Sequence, residues 1–202
     1  MSQVTPRLRI GREFFEDLYA RSEDPWSFAK SDYERDKYAH TRAALNGDRF
    51  ERGLEVGCSI GVFTEQLAGV CRELVGIDVS DTALARARRR LREHPRVTLA
   101  RMTFPEEMPD GPWDLVVCSE VLYYLDDAAF ALALERLRTA LESGATVLAV
   151  HWRPATRSYP LRGDEVHERL ITELGGWHVL DGRRSRYRLD LFEGQRCARV
   201  GS

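Results

Sequence analysis

The stretch Glu55-Val56-Gly57-Cys58-Ser59-Ile60-Gly61 constrains this chain more than any other. The apolar run Gly53 to Gly57 reads as a short strand, and it enters a turn carrying two glycines with no linker between. Gly61 to Gly69 then has helical spacing, so a strand, a glycine turn and a helix start follow directly on one another. Gly57 and Gly61 permit backbone angles and a close ligand approach that a Cβ would block, and the helix start presents unpaired N–H groups. Turn and packing duties alone would also explain two glycines here. The next strand, Leu74 to Asp78, decides between the readings. It ends in a carboxylate at the ~20-residue offset from Gly57 at which Rossmann-type sites hold ribose hydroxyls. The pair predicts a nucleoside site.

The type of nucleoside follows from what the turn lacks. No Gly-Lys-Ser/Thr follows Gly61, so a phosphate-cradling P-loop is disfavoured. Ser59 stands where a dinucleotide fingerprint needs its middle glycine, which argues against a pyrophosphate. Glu55 would repel phosphate and suits a ligand with a cationic tail, such as the aminoacyl arm and sulfonium of S-adenosylmethionine (SAM).

The remaining rhythm is that of alternating elements. Short helices are predicted over Gly11 to Tyr19 and Asp32 to Leu45, the latter closed by Asn46-Gly47. Ser80-Asp81 caps an Ala/Arg-rich helix to about Glu93. Strands follow at Arg96 to Ala100, Trp113 to Ser119 and Ala145 to His151, with helices at Ala128 to Leu141 and Gly163 to Leu174. Trp177 to Leu180 and Tyr187 to Phe192 are joined by too little chain for a crossover, so they form an antiparallel pair about an Asp181 to Arg186 turn. The pattern predicts an α/β fold with a mainly parallel sheet and helices on both faces.

These motifs carry a resemblance. Glu55 to Gly61 is similar to the first motif of class I SAM-dependent methyltransferases. More narrowly, the chain resembles the nodulation protein S (NodS) family, which N-methylates a deacetylated chitooligosaccharide. The matching stretches are Asp24-Pro25-Trp26, Ser31-Asp32-Tyr33-Glu34, Glu55 to Gly61 with Phe63-Thr64, Asp78-Val79-Ser80 and Asp114 to Val117. Ser119-Glu120-Val121-Leu122-Tyr123-Tyr124-Leu125, His151-Trp152-Arg153 and Tyr159-Pro160-Leu161 complete them. The resemblance implies a Rossmann-like class I methyltransferase fold: a seven-stranded mainly parallel sheet, an antiparallel C-terminal hairpin and an N-terminal helical cap. One domain is expected over 1–202, with the cap at 1–47 and the core at 48–202. The resemblance further implies that Gly57, Cys58 and Gly61 lie under the methionine portion of SAM, and Glu55 and Val79 are further cofactor-binding candidates. Asp78 would bind the ribose, Arg101 and Met102 the adenine, and Ser119 a further edge of the cofactor. Arg101-Met102 departs from the acidic residue many relatives carry there. A deacetylase acting first on the acceptor is a further implication.

Methyl transfer from a sulfonium needs alignment of donor and acceptor more than a covalent nucleophile, and such orientation supplies roughly 7–11 kcal/mol. An amine acceptor must also lose a proton, since an alkyl amine of pKa ~10.4 is about one part in a thousand neutral near pH 7.4. Glu120 and His151 stand at strand ends, where ligands bind in open α/β sheets, and are the candidate catalytic groups. A packed histidine and a surface carboxylate are the competing readings. Trp26 and Tyr33 come from the cap, suited to stack on adenine or shield the sulfonium. Of Tyr123 and Tyr124, one is expected to line the acceptor pocket and the other to pack inward. O- or S-methylation of another small natural-product acceptor is the alternative reaction. No cluster of carboxylates suggests a metal.

The balance of the composition bounds partners. Lys+Arg 30 against Asp+Glu 32 gives a net charge of −2 over 202 residues, with 43% hydrophobic and 31% charged residues. This disfavours nucleic acid and anionic membranes as partners and fits a globular chain, monomer or homodimer, acting on a small molecule. Met1 to Ile10 carries Arg7 and Arg9 but no apolar core of a signal peptide, so a cytoplasmic location is expected. Cys58, Cys71, Cys118 and Cys197 form no C-x-x-C pair and read as reduced, mostly packed thiols. The basic run Arg86 to Arg92 reads as a solvated outer face, and Phe14, Phe15 and Leu18 as core.

Overall fold

A computed structural model describes residues 8–156 and 158–195 of the chain; Arg7 and Cys197 lie outside them. Seven strands form one sheet: β1 (Phe50–Val56), β2 (Cys71–Asp78), β3 (Val97–Arg101), β4 (Leu115–Ser119), β5 (Thr146–Trp152), β6 (His178–Arg183) and β7 (Tyr187–Glu193). Their order across the sheet is β3-β2-β1-β4-β5-β7-β6. The first five strands in this order pair in parallel, and β7 runs antiparallel to both β5 and β6. The expected turn at Asp181 to Arg186 is shorter, because Asp181, Gly182 and Arg183 continue the ladder opposite Asp190, Leu189 and Arg188. Their polarity suits an edge strand, where charge discourages pairing with another chain.

The helices are α1 (Arg12–Arg21), α2 (Asp32–Ala43), α3 (Val62–Leu67), α4 (Asp81–Arg90), α5 (Asp127–Glu142) and α6 (Gly163–Leu174). Local chemistry starts several of them. The Ser80 hydroxyl accepts from the Ala83 N–H at 3.0 Å, and the Asp126 carboxylate accepts from the Ala129 N–H at 2.9 Å. The core lies on both faces of β4 and β5, whose residues from Leu115 to Cys118 and from Val147 to Val150 are fully buried. Such continuous apolar runs are what a strand covered by helices on both faces requires. Among the described residues, no helix is long and apolar enough to cross a membrane.

The chain crosses to one side of β1 to build β2 and β3, and to the other to build β4 and β5. A crevice therefore opens beyond the carboxyl ends of β1 and β4, where the strand order reverses. α1 is clamped across it onto α4. The Glu16 carboxylate accepts from the Asp81 N–H at 2.6 Å and the Ser80 hydroxyl at 3.2 Å, at the positive end of the α4 dipole. In return Arg86 donates to the carbonyls of Tyr19, Ser22 and Glu23 at 2.7, 2.9 and 3.0 Å. Arg90 donates to the Ile60 carbonyl at 3.1 Å, so the basic run is in part a clamp and not simply a solvated face. Phe14, expected in the core, is 45% exposed, while Tyr19 on the neighbouring side of α1 is buried.

Candidate active site

A cavity of about 380 Å³ fills the crevice, floored by the ends of β1, β2 and β4 and walled by α1 and α2. The turn after β1 shapes its floor. Gly57 has φ +75°, and a Cβ there would stand 3.3 Å from Val121. The N–H groups of Gly57 and Cys58 donate to the Ile77 carbonyl at 2.8 and 3.0 Å, which ties the turn to β2. Gly57, Cys58, Asp78, Val79, Met102 and Ser119 all line the cavity. Gly61 does not. Its φ of +80° starts α3, and its missing Cβ makes room for Ala87 and Leu91, each 3.1 Å from where that atom would be. It is a packing glycine between α3 and α4, contrary to the cofactor contact expected of it. The Arg101 side chain points elsewhere, its Nε lying 3.9 Å from Asp81 in a half-exposed pair, which leaves backbone N–H groups and apolar packing as the contacts expected of the Arg101-Met102 loop.

Two buried carboxylates face the floor. Asp78 accepts from the Ser59 N–H on Oδ2 and from the Ser80 N–H on Oδ1, both at 2.9 Å. Burial nevertheless pushes its pKa up to about 6. Glu55 is 2% exposed, its Oε2 has no hydrogen-bond partner among the described residues, and burial pushes its pKa up to about 7. The Cys58 thiol is raised well above the ordinary value, again by burial, and is therefore unreactive. Over the floor, the Tyr19 hydroxyl meets Ser59 Oγ at 2.5 Å, and Trp26 stacks on Phe28 with centroids 5.4 Å apart.

The opposite wall is polar. Glu120 follows β4 in a left-handed conformation, φ +56°, and its carboxylate collects three donors. Lys37 Nζ reaches Oε1 at 2.6 Å; the Tyr123 hydroxyl and the Trp152 N–H reach Oε2 at 2.7 and 2.8 Å. Lys37 also lies 2.8 Å from Glu34 Oε2. The Tyr33 ring carries the Arg186 guanidinium 4.2 Å from its centroid, and its buried hydroxyl has no hydrogen-bond partner among the described residues. Tyr123 and Tyr124 both line the cavity, with Tyr159 stacked on Tyr123 at 4.9 Å, so neither is the purely inward residue expected.

His151 is corrected more strongly. It is fully buried and lies outside the cavity lining. Its Nε2 accepts from the Leu122 N–H at 3.1 Å, which assigns the proton to Nδ1, and Nδ1 donates to His167 Nε2 at 3.1 Å. His167 Nδ1 in turn donates to Asp190 at 2.5 Å, Asp190 also pairs with His178 at 2.8 Å, and the Arg188 Nε lies 2.9 Å away as an ion pair. Burial holds the His151 pKa well below the ordinary value, so it is neutral. The chain Asp190–His167–His151 braces the backbone turn that presents Glu120 and Tyr123.

Sequence reasoning passed over Lys37 and gave Glu34 no role. A signal existed: Glu34, Lys37, Tyr38 and Thr41 recur at helical spacing and are all buried. A lysine and a glutamate on the inward stripe of a helix mark a built polar site.

Parallel β1 to β5, the reversed closing strand and a crevice at the carboxyl ends define a class I methyltransferase fold. The chain belongs to the nodulation protein S (NodS) family, whose family model matches residues 14–155. Nodulation protein S of Sinorhizobium fredii (strain NBRC 101917 / NGR234) is 35% identical over 129 residues, covering 63% of this chain and 57% of that protein. Its counterpart in Rhizobium tropici is 32% identical over 157 residues, 76% of this chain and 66% of that protein. The chain thus spans roughly six-tenths of the length of these relatives. The N-methyltransferase NodS from Bradyrhizobium japonicum WM9, crystallised with S-adenosyl-L-homocysteine (SAH), shares the fold with a TM-score of 0.75 at 24% identity, over 93% of this chain and 100% of that one.

Proposed function

We propose that this protein is a SAM-dependent methyltransferase that N-methylates an amino group of a small polar metabolite, an amino sugar or deacetylated chitooligosaccharide being the acceptor class. The observation that carries the reading is the cavity floor. It combines a glycine turn with a left-handed backbone and little room for a Cβ at Gly57, the carboxylate of Asp78 and a carboxylate oxygen on Glu55 with no hydrogen-bond partner among the described residues. These residues fit a nucleoside with a cationic tail. Asp78 would accept from the ribose hydroxyls, Glu55 would face the positive charge, and Met102, Val79 and Trp26 would cover the base. When bound, SAM supplies an activated methyl group on a sulfonium. The protein's own contribution is to orient the acceptor, exclude water with α1 and α2, and manage the acceptor's proton. Family membership supports an amine acceptor, and a deacetylase acting beforehand would provide it.

Calorimetric titration with SAM and SAH, followed by incubation with labelled SAM and amino-sugar and hydroxyl acceptors, tests this. Label on a sugar nitrogen is expected. Binding of neither cofactor form overturns the methyltransferase reading, and label on oxygen alone overturns the acceptor class.

A further inference from the structure

One part of the cavity wall holds more negative than positive charge. Glu34 arrives on α2 and Glu120 from the end of β4, and the ammonium of Lys37 lies between them, 2.8 and 2.6 Å away. The three side chains are 10%, 12% and 1% exposed. Two carboxylates and one ammonium carry one excess negative charge on largely buried side chains, and such a charge needs a partner. The cluster lines the cavity, where an entering cation would supply one. The Tyr33 hydroxyl nearby, with no hydrogen-bond partner among the described residues, offers an acceptor lone pair to an N–H donor.

The two carboxylates are not equivalent. Glu120 is engaged by three fixed donors and shares them across both oxygens. Glu34 faces Lys37 and Tyr38 on its own helix and Glu120 on the far side of the Lys37 ammonium, and its pKa is raised by burial, with Lys37 opposing the shift and Glu120 adding to it. Arg186, which lines the same cavity, packs over the rings of Tyr33 and Trp152.

We propose that Glu34 receives the acceptor's ammonium group and takes its proton, with Lys37 and Glu120 as positioning residues that hold the carboxylate in place. The inference rests on the amine-methylating reading above. In this step one N–H bond of the ammonium breaks, its electron pair stays on nitrogen, and an O–H bond forms on Glu34. One ammonium and one carboxylate become one amine and one carboxylic acid, and the proton leaves through the cavity mouth to water. Lys37 keeps its charge throughout because Glu120 continues to pair with it.

Two measurements test the assignment on wild type, Glu34→Gln and Glu34→Asp. In the first, calorimetry compares binding of fully deacetylated chitotetraose with cellotetraose, its hydroxyl counterpart. Wild type is expected to prefer the amine by about tenfold or more, and Glu34→Gln to lose most of that preference with SAH affinity unchanged. In the second, methyl transfer to the amine is followed against pH. Glu34→Gln is expected to be slower by about 10²-fold or more near neutrality, with the deficit shrinking as pH approaches the acceptor's own pKa. Glu34→Asp should recover part of the rate. Equal preference and parallel pH profiles in wild type and Glu34→Gln overturn the role of Glu34. So does a loss of SAH affinity common to both variants, which would make the residue structural. A wild type that methylates only hydroxyl acceptors overturns the amine reading itself, a separate outcome.

Discussion

Asp78 should be kept for its ligand at the expense of the free protein, and Asp78→Asn exposes the conflict. Burial lifts its pKa from 3.8 to about 6, a rise of about 2 units, or about 3 kcal/mol between the protonated and ionised forms. Because the folded value lies above the unfolded one, this contribution to stability is fully present below pH ~4 and is lost as pH rises through about 6. Asparagine escapes that loss. It also places an NH2 group against the Ser59 or the Ser80 N–H, both 2.9 Å from the present oxygens, and forfeits one charge-assisted hydrogen bond of about 1.5–3 kcal/mol. At pH 8 the two effects nearly cancel or favour the variant by about 1 kcal/mol, which is a Tm change of roughly 0 to +4 °C. At pH 5, between the unfolded and the folded values, wild type has incurred only about half of that loss, so the stability of the variant relative to wild type should be lower there than at pH 8 by about 1.5 kcal/mol. SAM affinity should meanwhile fall between about tenfold and about a hundredfold, the loss of one hydrogen bond to a charged acceptor. Thermal melts at the two pH values and calorimetry with SAM at pH 8 read all three effects. SAM affinity within about threefold of wild type refutes the ribose placement. A variant much less stable at pH 8 than at pH 5 refutes the electrostatic argument.

Two further predictions separate fold from chemistry. His151→Phe leaves the Leu122 N–H and His167 without their partner and should destabilise the protein by about 2–4 kcal/mol in denaturant titrations. The pH dependence of its residual activity should match wild type, and loss of an ionisation near neutrality in a folded variant would restore His151 as a proton acceptor. Gly61→Ala and Gly57→Ala should both destabilise the protein, each by about 1–2 kcal/mol for the left-handed backbone alone, with Gly61→Ala the worse because of its contact with Ala87 and Leu91. Only Gly57→Ala should weaken SAM by more than about tenfold, and equal SAM affinities in the pair would contradict the placement of the cofactor.

What could be read from residues alone was whatever is local or periodic. Seven strands and their alternation with helices follow from short apolar runs and punctuating residues, and the cap at Ser80 is written in its own side chain. The glycine turn at Gly57 and the carboxylate at the end of β2 were legible because both lie on one continuous strand-turn-helix unit and the strand that follows it. The misread residues all depend on facing, which one-dimensional spacing does not encode. Gly61 and Arg101 sit next to cavity residues in the chain, yet one is turned toward α4 and the other toward Asp81. His151 stands at a strand end, but its neighbours His167 and Asp190 come from α6 and β7, and their proximity exists only once β7 inserts beside β5. The Glu34–Lys37–Glu120 cluster joins α2 to the end of β4 in the same way. Apolar periodicity determined the layers and the position of the nucleoside turn, because burying a strand or a helix face is a nearest-neighbour requirement. Which polar groups share a dry pocket, and so which of them can hold or move a proton, was decided by tertiary packing, because charge interactions act through space and are strongest where the fold excludes water.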